Sequence, residues 1–170
     1  MPTDQTRPDA VDRVIAGWSR ARPDLDTTAL SVFSRISRLA RHLESARREA
    51  FTASGIEGWE FDVLSALRRA DGEPLSPGAL LRQTMVTSGT MSTRLDKLEA
   101  RSLVRRERDP RDGRAVLVRL QEEGITRVDA AIERLLDAER RALSAVPPAE
   151  QEQLASTLRT LLLPFEPDGD

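Results

Sequence analysis

Arginine is the residue through which this chain can act. Seven arginines lie between positions 101 and 119 (Arg101, Arg105, Arg106, Arg108, Arg111, Arg114 and Arg119), against Glu107, Asp109 and Asp112. A guanidinium is a rigid fork of donors that meets phosphate or carboxylate edges in pairs. The chain as a whole carries a net charge of −2, so this excess is local. A basic patch on an acidic body suits a site-specific contact with nucleic acid better than an indiscriminate coat. The plainer alternative is a solvated, arginine-rich turn. Just upstream, Gly89, Ser92, Thr93 and Asp96 share one side of a helical pattern that opens with Thr87-Ser88. Small and polar residues permit close approach to base edges and phosphates, where a merely solvated helix more often carries Glu, Lys and Arg.

Enzymatic chemistry finds few groups. There is no cysteine, and His42 is the one histidine. Disulfides, thiolate metal sites and thiol redox sensing are excluded. No phosphate loop, nucleophile–base pair or metal-ligand spacing is visible, so the expectation is a non-enzyme without a cofactor or metal. His42 sits among arginines, where a surface or interface role is expected. No apolar run approaches the ~20 residues of a membrane helix. The polar, proline-bearing start does not read as a signal peptide, so the cytoplasm is the expected location.

The elements that position these residues can be read in order. Ser76-Pro77 opens a short helix to about Thr84, with Ser as cap and Pro at the first helical position, where a missing N–H costs nothing. Met85 and Val86 fill a turn. Thr87 caps a second helix, Ser88 to about Arg101, whose Met91, Leu95 and Leu98 recur at about 100° per residue and face a core. Leu103–Arg108 and Ala115–Leu120 alternate as strands, and Asp109-Pro-Arg-Asp-Gly-Arg114 joins them as a turn. Two helices, a strand, a basic tip and a returning strand make a helix-turn-helix with a wing. The second helix fits the major groove, and Arg111 and Arg114 at the tip reach phosphate or minor groove.

Around this lobe the fold class is mainly α. Residues 1–8 read as disordered, and Asp9 to about Arg20 as a short extra helix carrying Val11, Val14, Ile15 and Trp18. A long helix runs from Thr27 to about Ser54, with Leu30, Phe33, Ile36 or Ser37, Ala40, Leu43, Arg47 and Ala50 as its stripe. Trp59–Ala70 is helical and ends at Asp71-Gly72. Glu122–Ala145 is marked by Ile125, Val128, Ile132, Leu135, Leu136 and Leu143. Pro147-Pro148 stops it, and Ala149–Leu163 forms the last helix. This divides the chain into a start with an extra helix (1–26), dimerisation helices (27–54 and 121–163), a DNA-binding lobe (55–120) and a tail (164–170). The flanking helices carry more apolar surface than one small lobe can cover, which implies a partner; a twofold homodimer is the commonest solution. A dimer would present two recognition helices about one DNA turn apart to a palindromic operator.

From 27 to 163 the chain resembles the MarR family of winged-helix regulators. The resemblance is carried by Val86-Thr-Ser-Gly-Thr-Met-Ser-Thr-Arg-Leu-Asp-Lys-Leu-Glu99, by Leu103-Val, by Asp109–Val118, and by the long helix after Glu123-Gly124. The extra N-terminal helix with Trp18, then Arg22-Pro-Asp-Leu-Asp-Thr27, Arg35-Ile-Ser-Arg-Leu39 and Trp59-Glu-Phe-Asp-Val-Leu64, is similar to the urate-responsive branch of HucR, PecS and TamR types. That resemblance implies a homodimeric repressor with a small anionic effector. Its ligand residues fall by motif position on Trp18, Asp62 and Arg94, and the fourth on Arg106 or its neighbour Arg105. TamR-type members answer to aconitate-like tricarboxylates, so urate and citrate or aconitate both stand.

Each of these residues has a plainer reading. Arg94 lies beside Leu98 at the edge of the apolar stripe, pointing to the protein body, as an ion-pair partner or an anion clamp. Trp18 is a core anchor or a platform for a planar ligand. Asp62 pairs with Arg69, two turns on, or carries a charge that a ligand disturbs. Asp112 orients Arg114. The expected function is a ligand-responsive repressor. Its rivals are a repressor without an effector and a winged module that binds protein.

Overall fold

A computed structural model describes residues 7–84 and 86–166. The start at 1–6, the turn residue Met85 and the end of the tail, 167–170, lie outside the described residues. Two compact units divide the chain: 1–39 with 137–170, and 40–136. In order the elements are α1 (Ala10–Ala21), α2 (Thr28–Ala53), α3 (Gly58–Arg69), α4 (Pro77–Thr84), α5 (Ser88–Ala100), β1 (Val104–Arg108), β2 (Val116–Leu120), α6 (Glu122–Leu143) and α7 (Pro148–Leu162), followed by a 3-10 turn, Leu163–Phe165.

In the unit that holds α1 and α7, Asp9 caps α1. It accepts the backbone N–H groups of Val11 and Asp12, while Asp12 accepts the N–H of Asp9. Arg35 bridges both carboxylates, to Asp9 at 2.9 Å and to Asp12 at 2.7 Å. The Asp12 amide, and then Arg35, hold the Asp9 carboxyl below its ordinary range. Only Val11 of α1 is buried, and α7 buries nothing. Val14, Trp18, Leu154, Leu158, Leu161 and Leu162 are all between 38% and 55% exposed. The apolar surplus expected of the flanking helices is therefore on the surface of this chain.

The unit 40–136 contains the winged lobe. Val63, Leu64 and Leu67 of α3, Leu80 of α4, and Met91, Leu95 and Leu98 of α5 form its core with Leu103, Val104 and Val118. Phe51 and Phe61 stack at 4.2 Å between centroids. The wing is a two-stranded antiparallel sheet with Val104 opposite Leu120 and Arg106 opposite Val118. Leu75 adds a bridge to Val118, exchanging bonds of 3.0 and 2.8 Å. The helix boundaries match those expected to within one or two residues. Ser76 Oγ accepts the Ala79 N–H at 3.2 Å, and Thr87 Oγ1 accepts that of Thr90 at 3.4 Å.

The buried face of α6 differs from the expected stripe. Gly124, Val128, Ala131 and Leu135 are buried, whereas Ile125 and Leu136 are 38% and 43% exposed. Small residues win these positions because the helix passes close to the wing base. A Cβ on Gly124 would stand 2.2 Å from the Leu103 carbonyl oxygen, a backbone atom that cannot swing away. Gly124→Ala is therefore expected to cost about 1–3 kcal/mol, as overpacking does. Gly113→Ala, which meets nothing within 4 Å, should stay within about 0.5 kcal/mol of wild type. Urea unfolding of both variants checks the pair.

Candidate functional site

The outer side of α5 is open as the sequence suggested. Thr87, Ser88, Gly89, Ser92 and Thr93 are all exposed. Their hydroxyls are organised locally: Thr87 and Thr90 share a hydrogen bond of 2.9 Å, and Thr93 donates to the Gly89 carbonyl at 3.2 Å. Beneath them Met91, Leu95 and Leu98 anchor the helix in the core.

The seven arginines of the wing region do not form one uniform basic patch. Arg101 binds Glu60, Arg105 and Arg119 flank Glu107 at 3.2 and 3.1 Å, and Arg106 binds Asp96 and Glu99. Strand pairing sets Arg105 opposite Arg119, and Glu107 neutralises that clash. Among the described residues, Arg108, Arg111 and Arg114 have no carboxylate partner. At the tip, Asp109 and Asp112 accept the backbone N–H groups of Arg111 and Arg114 at 2.8 and 3.1 Å. Each aspartate thus builds an Asx turn, a backbone-shaping contact. Asp112 orients Arg114 through its amide, and both guanidinium groups stay exposed.

Arg106 fastens the wing to α5. Its guanidinium donates to Glu99 at 2.9 Å, to Asp96 at 2.7 Å and to the Ser92 carbonyl at 3.3 Å, and its amide donates to Glu99 at 2.9 Å. An effector anion held by Arg106 would have to displace one of these carboxylates. Its neighbour Arg105 points to the other face of β1, as strand alternation requires.

Arg94 is half-buried, and its guanidinium lies 5.5 Å from the ring centre of Trp59, with Lys97 at 5.9 Å from the same ring. These three line an open groove of about 430 Å³ with Gly89, Thr90 and Thr93. Arg94 thus reaches the same groove as two residues of the outer side of α5, which differs from the expectation that it points to the protein body. Helical side chains lean back over the preceding turn, and a long one arrives there. The alternative expected for it, an ion pair, is not formed among the described residues. A cation over an indole face is attracted by the ring quadrupole. Trp59 is held by its indole N–H, which donates to Glu57 at 2.7 Å.

Asp62 is exposed on α3, and no hydrogen bond or ion pair to its carboxylate is present among the described residues. The expected pair with Arg69 is absent: Arg69 turns to Ser65 Oγ at 3.1 Å and to Gln83 Oε1 at 3.5 Å. Asp62 and Trp59 line one cleft, and Trp59 and Arg94 line the neighbouring groove. Trp18, 48% exposed, belongs to the other unit of the chain. His42 is exposed on α2.

Sequence reasoning missed Glu60. It is 1% exposed and the one buried charged residue among those described. Arg101, at the C-cap of α5, donates to its two oxygens at 2.5 and 2.6 Å and to the Gly55 carbonyl at 2.7 Å. Arg127 donates to the same carbonyl at 2.9 Å. A signal was available, because Glu60 is in phase with Val63, Leu64 and Leu67 on the core face of α3. Trp59 was missed for another reason: it stands on α3, and only the tertiary fold brings it to Arg94, whereas Lys97 lies three residues on from Arg94 along α5 itself.

The MarR family's sequence profile matches residues 54–115. The transcriptional regulator PecS of Dickeya dadantii is 32% identical over 154 residues, covering 89% of this chain and 90% of that protein. The transcriptional repressor NicR of Pseudomonas putida is 32% identical over 112 residues, covering 64% of this chain and 70% of its own. Among solved structures, CouR of Rhodococcus jostii bound to p-coumaroyl-CoA superposes with a TM-score of 0.62 at 25% identity, over 78% of this chain and 92% of that one.

Proposed function

This chain belongs to the MarR family of transcriptional regulators, and on that premise we propose that it is a repressor that binds a palindromic operator as a homodimer and is released by a small anionic effector. The observation that carries the DNA reading is the division of labour among the arginines. Four of the seven are spent on internal carboxylates, while Arg111 and Arg114 project from a tip whose aspartates are occupied with backbone. Phosphate contacts position such a protein, and base edges specify the site. Thr87, Ser88, Gly89, Ser92 and Thr93 are the residues assigned to the major groove, with Arg111 and Arg114 beside it. The exposed apolar side chains of α1 and α7 support a second copy as partner. No helix among the described residues is long and apolar enough to cross a membrane, in keeping with action on DNA in the cytoplasm.

The effector reading assigns Trp18, Asp62 and Arg94 to a urate-like or carboxylate ligand, with Arg106 as the arginine that couples the wing to α5. Arg94 is the residue that best explains release. It stands on the recognition helix, and a ligand that engages it changes what that helix offers to DNA. An effector can act only through unequal affinity for the free and DNA-bound conformations. A mobility-shift titration tests the reading, using the protein's own upstream intergenic DNA with urate and then citrate or aconitate. Release by urate, or by a tricarboxylate, supports the effector and identifies its class. A shift that nothing releases leaves a repressor without an effector, and no shift from intact dimer overturns the DNA reading. Arg94→Ala is expected to retain operator binding and to lose release. Normal release by that variant would remove Arg94 from the site.

A further inference from the structure

Thr93 stands at the crest of α5. At about 100° per residue it lies roughly 160° round the helix from the buried Met91 and Leu95, so it is carried far from the core. Gly89, Thr90, Ser92, Asp96 and Lys97 are exposed around it. None is asparagine or glutamine, the side chains that read adenine with two hydrogen bonds. Lys97 and Arg94, which could read guanine, lie over the Trp59 ring, and Asp96 is drawn to Arg106. The crest itself has its hydroxyls engaged. Thr93 donates to the Gly89 carbonyl at 3.2 Å, and Thr90 shares a bond of 2.9 Å with Thr87. The branch of Thr93 left free is its γ-methyl.

Gly89 lies one turn before Thr93, on the same side of α5. Glycine is a poorer helix residue than alanine. Packing within the chain does not ask for it here, since a Cβ at Gly89 would meet nothing within 4 Å. The room it leaves opens outward, where a close approach from outside the chain can use it. A bare backbone step beside an exposed methyl is an apolar notch on the face that meets DNA. Among the base edges of the major groove, the 5-methyl of thymine is the apolar group. We propose that Gly89 and Thr93 seat a thymine 5-methyl in each half-site of the operator. The γ-methyl of Thr93 packs against it, and the missing side chain of Gly89 admits it. The proposal rests on the DNA reading above and adds to it the base that the crest of α5 selects.

Uracil differs from thymine only in lacking the 5-methyl, so it isolates the contact. Fluorescence anisotropy measures binding to the operator in the protein's own upstream intergenic DNA. Uracil replaces one symmetric pair of thymines at a time across the half-sites protected in a footprint. One pair is expected to lower affinity about fourfold at each half-site, the effect of one buried methyl, and so about fifteenfold for the dimer. Thr93→Ser should lose the same factor on the thymine operator and no longer distinguish uracil at that pair. Thr93→Val, which returns the methyl without the hydroxyl, should recover the distinction. Gly89→Ala fills the notch, so operator affinity should fall at least as far while thermal unfolding stays at or above that of wild type. An operator bound equally well with uracil at every position overturns the proposal and leaves the DNA reading standing. So does a Thr93→Ser variant that still tells thymine from uracil, or a Gly89→Ala variant with wild-type affinity. Upstream DNA that the intact dimer does not bind overturns the DNA reading, and the thymine seat falls with it.

Discussion

Replacing Arg111 and Arg114 together by alanine is expected to lower operator affinity about a hundredfold for each half-site, and so about ten-thousandfold for the dimer, at about tenfold for each charge-assisted hydrogen bond to phosphate that the variant can no longer make. The size of the effect follows from how the wing spends its charge. Arg105, Arg106 and Arg119 are engaged by Glu107, Asp96 and Glu99 and would have to give up those pairs to replace the tip, which leaves Arg108 as the other uncommitted arginine of the wing. The tip residues have no carboxylate to leave, so little internal energy is lost when they engage phosphate. Their backbone amides are already fixed by Asp109 and Asp112, which places both side chains on one ordered turn. The salt dependence gives a second, independent readout. Each phosphate neutralised contributes roughly 0.9 to the slope of log K against log salt. The double variant removes both arginines from each protomer, so it should flatten the slope of the dimer by roughly 3.6 units if all of them meet phosphate. Fluorescence anisotropy on operator DNA across a salt series measures both quantities. Unchanged affinity and slope would favour a winged module that binds protein.

Arg101→Ala is expected to destabilise the winged lobe by about 3 kcal/mol, the low end for stranding one partner of a buried pair. The low end applies because the side chain of Arg101 is 39% exposed while that of Glu60 is 2% exposed. Loss of the guanidinium leaves the Glu60 carboxylate with the Glu57 N–H at 2.8 Å as its remaining donor. The Gly55 carbonyl loses one of its two arginine donors at the same time. A chain of this size should then melt roughly 6–12 °C lower. Replacing both partners, with Glu60→Leu and Arg101→Met, should recover much of the loss, since no uncompensated charge stays buried. Thermal unfolding of the single and double variants measures this. A single variant as stable as wild type would show that solvent reaches Glu60 and that the pair does not hold α5 on α3.

The elements of the winged lobe were legible because each is specified locally. Ser76, Thr87 and Asp9 cap helices through bonds that span two or three residues. Met91, Leu95 and Leu98 report the face of α5 by their spacing alone, and all three are buried. The aspartates and glycine of the tip marked a turn for the same local reason. The buried face of α6 was less legible, because Gly124 and Ala131 are selected by closeness to another element, and a small residue announces no such closeness along the chain.

By itself, then, the sequence determined the order of the helices and strands, the core face of α5, the exposed face above it and the arginine tip, since all of these follow from periodicity, capping and turn chemistry within a few residues. Only the tertiary structure decided which charges are spent. Arg101 finds Glu60 from 41 positions away, and Arg69 reaches Gln83 from 14. Arg94 meets the Trp59 ring because α3 and α5 pack together. Charge pairing depends on distances of a few ångströms between elements, and sequence spacing does not encode those distances.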